Sequence, residues 1–172
     1  GERLRNETDE IDTRHIHGDF NCGNILLGSD DQTERRISII DLGSRKQDHI
    51  IKDVAKLERD IVFRVFDWGS SNFYDPNRRS AWRPFLQTLA RESIFIPVPT
   101  GGGEESEMSA AKALIYELRS KISAIDSRSN PQSYLFALLH YSLLAMLHPR
   151  ISFAKKAFAI EYASTIIGEL KC

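Results

Sequence analysis

Residue 50 divides this chain by the spacing of its apolar residues. Before it come two β-prone runs, "NILLG" at 24–28 and "RISIIDLG" at 36–43, separated by the polar segment "SDDQTER". After it, in "KDVAKLERDIVFRVF", Val54, Leu57, Ile61 and Val65 recur at steps of three and four, which is one face of a helix. Strands gathered at one end and helices at the other predict an α+β domain, mostly α, with a short β-hairpin ahead of a helical body. Three Ile within "RISIID" give the second run the β-branched content of a buried strand.

The helical body reads as about five helices. Asp53 stands at the start of the first, where a carboxylate meets free N–H groups and the positive end of the helix dipole. "DWGSSNFYDPNRR" is loop by composition, and "SAWRPFLQTLARESIF" is a second helix with Ser80 as its cap and Pro84 in its first turn. "IPVPTGGGEESE" carries two Pro and three successive Gly, so a mobile loop is expected over about 97–106. "GGG" lacks the Lys-Ser/Thr of a phosphate loop and is read as solvated linker. Three more helices are predicted near 107–126, 132–148 and 152–170, punctuated by Pro131 and Pro149, with Ser152 as a cap. Leu138, Leu139, Leu143 and Leu147 read as core.

A chain of 172 residues fits a single domain, 1–172, with 14–50 as loop and hairpin and 51–172 as the helical part. Residues 1–13 are a polar, frayed lead-in. The 23 Lys and Arg against 24 Asp and Glu leave no basic excess, which argues against nucleic acid or an anionic membrane as partner. No apolar run approaches a membrane span and no signal-peptide pattern opens the chain. The two Cys, 22 and 172, are read as free thiols in a reducing cytoplasm.

The chemistry concentrates in "RHIHGDFNCGNILLG", residues 14–28. "HIHGD" has the His-x-His-x-Asp spacing of binuclear metal sites, but such a site needs more ligands after separate strands. The remaining His, 49, 140 and 148, do not supply them, and zinc is rejected. A phosphoryl-transfer loop fits better. That reaction asks the protein to place a nucleophile and to neutralise phosphate charge. Asn24 follows Asp19 by five residues, and "IIDLG" places Asp41 after the next β-run with Gly43 two positions on.

These residues resemble the catalytic lobe of aminoglycoside phosphotransferase and choline kinase-like enzymes. "HGDFNCGN" is similar to their His-Gly-Asp-x-x-x-x-Asn loop, "IIDLG" to the Asp-Phe-Gly element, and "DVA" at 53–55 to the Asp-Leu-Ala that follows. The resemblance implies the C-terminal lobe of a protein kinase-like fold, with Asp19 orienting the acceptor hydroxyl. Asn24 and Asp41 would hold Mg²⁺, with ATP as the donor. It implies structural support of the loop by His17 and Asp53, with a hydroxyl-bearing small molecule or protein as acceptor. The pattern "HGDFNCGNILL…IIDLGS…HIIKDVAKLERDI" also resembles the bacterial ternary complex associated domains, in which a kinase-like lobe accompanies sensor or effector modules.

Only 14 residues precede His15, too few for a nucleotide-clamping lobe with its strand Lys, phosphate-covering loop and hinge. The expectation is therefore a lobe of a longer protein, inactive alone and completed by an upstream N-terminal lobe or other domains. The competing expectation is a non-catalytic, kinase-derived interaction module of a multidomain bacterial signalling or conflict-system protein.

Overall fold

The computed structural model describes residues 13–29, 35–65, 76–91, 107–125 and 130–170. Four strands come first: β1 (Arg14–Ile16), β2 (Ile25–Ser29), β3 (Arg35–Ile39) and β4 (Lys46–Asp48). Five helices follow: α1 (Ile50–Val65), α2 (Pro76–Arg91), α3 (Glu107–Ile125), α4 (Pro131–Leu147) and α5 (Phe153–Glu169). The fold is mostly helical α+β, with short strands and hairpins at the N-terminal end. Among the described residues no helix is long and apolar enough to cross a membrane.

The strands form two separate antiparallel ribbons. β2 pairs with β3 in a register that sets Ile25 opposite Ile39 and Leu27 opposite Ile37, so the hairpin follows from the two apolar runs. β1 pairs with β4, Arg14 opposite Asp48 and Ile16 opposite Lys46. Strands of three residues have no room for an alternating pattern, and this second ribbon carries no signal in the sequence. The expected burial of "RISIID" is overturned: Ile37 is 69% exposed and Leu27 78%, with Ile39, Ile40 and Leu42 also exposed. A two-stranded ribbon buries an apolar face only when something packs on it.

α1 is the central rod, packed against α3 and α4, while α5 closes on α4 and α2. Its core side runs through Ile51, Ala55, Glu58 and Val62. Phe158 of α5 sits at the junction of three helices, stacked on Trp82 of α2 at 5.0 Å and edge-on to Phe63 of α1 at 5.4 Å. Aromatic pairs at these separations add to area burial.

Helix ends follow local chemistry. Asn130 caps α4, its side chain accepting the N–H groups of Gln132 and Ser133, with Pro131 where a missing N–H costs nothing. Ser152 caps α5 through the Lys155 N–H. The second helix departs from expectation. It starts at Pro76, so Ser80 is not its cap and Pro84 lies inside it, not in its first turn. A Pro in the loop-like "DPNRR" is itself a good first helical residue, which is why the start comes early. The Leu pattern of α4 also divides. Leu138 is fully buried and Leu139 half-buried, but Leu143 and Leu147 face outward, because the buried stripe runs Tyr134, Leu138, Ser142, Ala145. The expected mobile loop at 97–106 and Cys172 lie outside the described residues.

One charged cluster holds the helices at their centre. Glu58 and Arg119 are both wholly buried and form a bidentate pair, Nε to Oε2 at 2.7 Å and Nη2 to Oε1 at 2.6 Å. Arg119 Nη1 donates to the Leu89 carbonyl of α2 at 2.8 Å. Tyr134 and Tyr162 donate their hydroxyls to Glu58 at 2.6 and 2.9 Å. Each of the five helices contributes a group to this cluster. Burial alone would lower the Arg119 pKa, but the Glu58 carboxylate overrides it and holds the guanidinium above its usual range. Burial, reinforced by Glu58, raises both tyrosines well above 10.

Candidate functional site

The His17–Asn24 loop runs from β1 to β2 and is set by backbone constraints at its start. Gly18 has φ +80°, and a Cβ there would lie 2.3 Å from the Ser44 carbonyl oxygen, so glycine is required on two independent grounds. Asp53, in the first turn of α1, accepts the His17 N–H at 2.6 Å and the Gly18 N–H at 2.9 Å. The His17 ring is buried; its Nε2 donates to the Ile40 carbonyl at 2.8 Å while Nδ1 accepts the Asp19 N–H at 3.3 Å. That pairing defines a neutral imidazole with the proton on Nε2.

Beyond Gly18 the loop folds on itself. The Asp19 carbonyl accepts from the side-chain amides of Asn21 and Asn24, each at 2.9 Å. Asn21 Oδ1 caps the short 3-10 turn at Cys22–Asn24 by accepting the Gly23 N–H. The Cys22 N–H donates to Asp60 Oδ2 at 2.8 Å, with Arg64 behind that carboxylate at 3.1 Å. The Asp19 carboxylate itself is hydrogen-bonded to Lys56 of α1. Burial and the neighbouring Asp60 push the Cys22 thiol up to about 11, so it is not poised as a thiolate. The Asp60 carboxylate is held low despite its burial, by the Cys22 N–H, the Cys22 thiol and Arg64.

Asp41 follows β3 and is anchored through the preceding residue. The Ile40 N–H donates to the Asn24 carbonyl at 3.0 Å, and the Ile40 carbonyl accepts from His17. Asp41 itself adopts left-handed backbone, φ 58° and ψ 52°, and is the one non-glycine residue with positive φ among the described residues. Its carboxylate and Asn24 Oδ1 have no hydrogen-bond or ion-pair partner among the described residues. The Asn24 amide thus meets the Asp19 backbone carbonyl, His17 and Asp53 brace their loop, and Asp41 is tied to the same loop through Ile40.

The family description that fits this chain is ternary complex associated domain 9, matched over residues 1–146. The chain belongs to the ternary complex associated domain 9 family. No curated protein and no solved structure matches it. The match takes in the loop, both ribbons, α1 to α3 and nearly all of α4 of this ternary complex associated domain 9 chain.

Among its described residues no group of three or more His, Cys, Asp and Glu is disposed to hold a metal ion. Mg²⁺ has smaller requirements, usually one or two carboxylates completed by water and substrate phosphates. Asn24 Oδ1 and the Asp41 carboxylate are oxygens of the kind such an ion prefers. His15 and His17 do not suit zinc, since His15 is exposed on β1 and both nitrogens of His17 are committed to the backbone.

Sequence reasoning missed Lys56 and Asp60 of this ternary complex associated domain 9 chain. Asp53, Lys56 and Asp60 are spaced three and four apart, a polar stripe on α1 that reaches the loop at Gly18, Asp19 and Cys22. The same periodicity that exposed the apolar face of α1 would have revealed this one.

Proposed function

We propose that this chain is the catalytic lobe of an ATP- and Mg-dependent phosphotransferase that acts on a hydroxyl acceptor. On this reading it has the aminoglycoside phosphotransferase-like, protein kinase-like C-lobe architecture and works as part of a larger assembly. The observation that carries the reading is Asp41: a strained, left-handed residue with an unengaged carboxylate, pinned through Ile40 to the loop that bears Asp19 and Asn24. Backbone strain of this kind costs on the order of 1–3 kcal/mol and persists where the surroundings enforce it. Asp19 orients the acceptor hydroxyl, and Asn24 and Asp41 hold Mg²⁺, which neutralises charge on the donor phosphates when bound. Adenine sits against a second lobe, supplied by other sequence of the same protein or by a partner.

A second reading is favoured by a different observation. Leu27, Ile37 and Ile39 form an exposed apolar face on the β2–β3 ribbon, which suits a kinase-derived module that docks other domains without catalysis. Asp19→Asn and Asp41→Asn in the full-length protein, assayed for phosphate transfer from Mg-ATP, separate the two. Loss of about 10²–10⁴-fold in Asp19→Asn with an unchanged melting temperature supports the enzyme. Full activity in both variants refutes it.

A further inference from the structure

α1 carries a second cation beyond Lys56. Arg59 lies one helical turn further on, within electrostatic reach of the Asp60 and Asp19 carboxylates and close to the neutral Tyr141 phenol. Its Nε is buried without a hydrogen-bond partner, and the guanidinium lies over the Phe63 ring, 5.5 Å from its centroid. The neighbouring carboxylates are engaged elsewhere: Asp19 by Lys56, and Asp60 by the Cys22 N–H and Arg64. Arg59 therefore has no ion-pair partner among the described residues.

A partly buried guanidinium whose Nε is buried with no acceptor is costly, and a single aromatic contact does not compensate it. Native folds retain such groups where a ligand supplies the missing acceptors. The planar fork of Arg matches a tetrahedral oxyanion, and Lys adds a second, mobile charge. We propose that Lys56 and Arg59 form a phosphate-binding site beside Asp19, with Lys56 bonded to Asp19 when the site is empty and drawn to the phosphate when it fills. Assigning the phosphate to a phosphoryl-transfer reaction rests on the phosphotransferase reading; the binding site itself does not. The exchange frees the Asp19 carboxylate only when phosphate is present, so the two events are coupled. The phosphate belongs either to the donor or to a phosphorylated alcohol.

Calorimetry on the intact chain with inorganic phosphate, at ionic strength matched with chloride, tests the site without requiring transfer. Saturable binding is expected, weakened at least about tenfold in Arg59→Gln and Lys56→Gln and tightened in Asp19→Asn, which releases Lys56. Arg59→Met should keep or raise the melting temperature in phosphate-free buffer and lose the phosphate-dependent rise; a purely structural Arg59 would instead lower it. Tripolyphosphate binding more tightly than glycerol phosphate assigns the donor as the source, and the reverse order assigns the alcohol. Absent phosphate binding, or binding unchanged in Arg59→Gln, overturns the proposal. Either result leaves the transfer assay on Asp19→Asn to judge the phosphotransferase reading separately.

Discussion

Removing the guanidinium of Arg119 should be among the most damaging single changes available to this chain. Arg119→Met keeps side-chain length and apolar packing but leaves Glu58 as a buried carboxylate facing only two tyrosine hydroxyls. Breaking one side of a buried ion pair costs about 3–5 kcal/mol. Domains of this kind have roughly 5–15 kcal/mol in total. At about 2–4 °C per kcal/mol for a chain of this size, the midpoint should fall by roughly 6–20 °C. Urea unfolding monitored by circular dichroism gives the free energy, and calorimetry gives the midpoint. The reasoning also predicts a sign for the coupling. Once Glu58→Leu has removed the carboxylate, Arg119→Met should cost far less, because no uncompensated charge remains. Adding Tyr134→Phe and Tyr162→Phe should then recover stability, since each hydroxyl left unpaired costs about 1–3 kcal/mol. A cost under about 1 kcal/mol for Arg119→Met alone, or the same cost in the Glu58→Leu background, would refute this account of the cluster.

Gly18→Ala brings a Cβ against the Ser44 carbonyl at a positive φ, so a loss of roughly 1–3 kcal/mol is expected from strain alone, read by urea unfolding. Tyr134 and Tyr162 have folded pKa values raised above 10; their contribution is complete below the unfolded value and lost as pH climbs past it. Tyrosinate absorbance should therefore show these two ionising only together with alkaline unfolding, and titration ahead of unfolding would contradict their burial. Cys22, with its thiol raised to about 11, should react with iodoacetamide at pH 7.5 far more slowly than a free cysteine, and Asp60→Asn should accelerate it.

The helices were legible because apolar residues declare their period whatever lies around them. α3, α4 and α5 fall within about one residue of their expected bounds, and the hairpin follows from two β-prone runs. What the pattern could not show was which side of each element meets something else. The Ile of "RISIID" look like core but are exposed on a ribbon with an open face. Leu143 and Leu147 were read inward because Leu usually is, while Ser142 and Ala145 hold the buried positions that let neighbouring helices approach. The Glu58–Arg119 cluster went unread because a charged residue on a helix is normally solvated. Its trace is nonetheless present: Arg119 lies on the stripe between Ile115 and Ile122, four and three residues away, where an outward-facing Arg would not stand. At the loop, spacing singled out Asp19, Asn24 and Asp41, whereas Lys56 reaches Asp19 across space from a helix, 37 residues further along the chain.

α1 bears on how this site could be moved or built. The loop's N–H groups at His17, Gly18 and Cys22 all end on carboxylates of that one helix, whose other side carries Glu58 into the middle of the helical body. A peptide spanning residues 14–45 would lack every one of those acceptors, so its motif would be spelled correctly and still have no fixed shape. Transplanting the site into another scaffold means carrying α1 with it, seated at the same rotation about its axis. A turn of that rod by even one residue's angle, about 100°, would point Asp53, Lys56 and Asp60 away from the loop they organise.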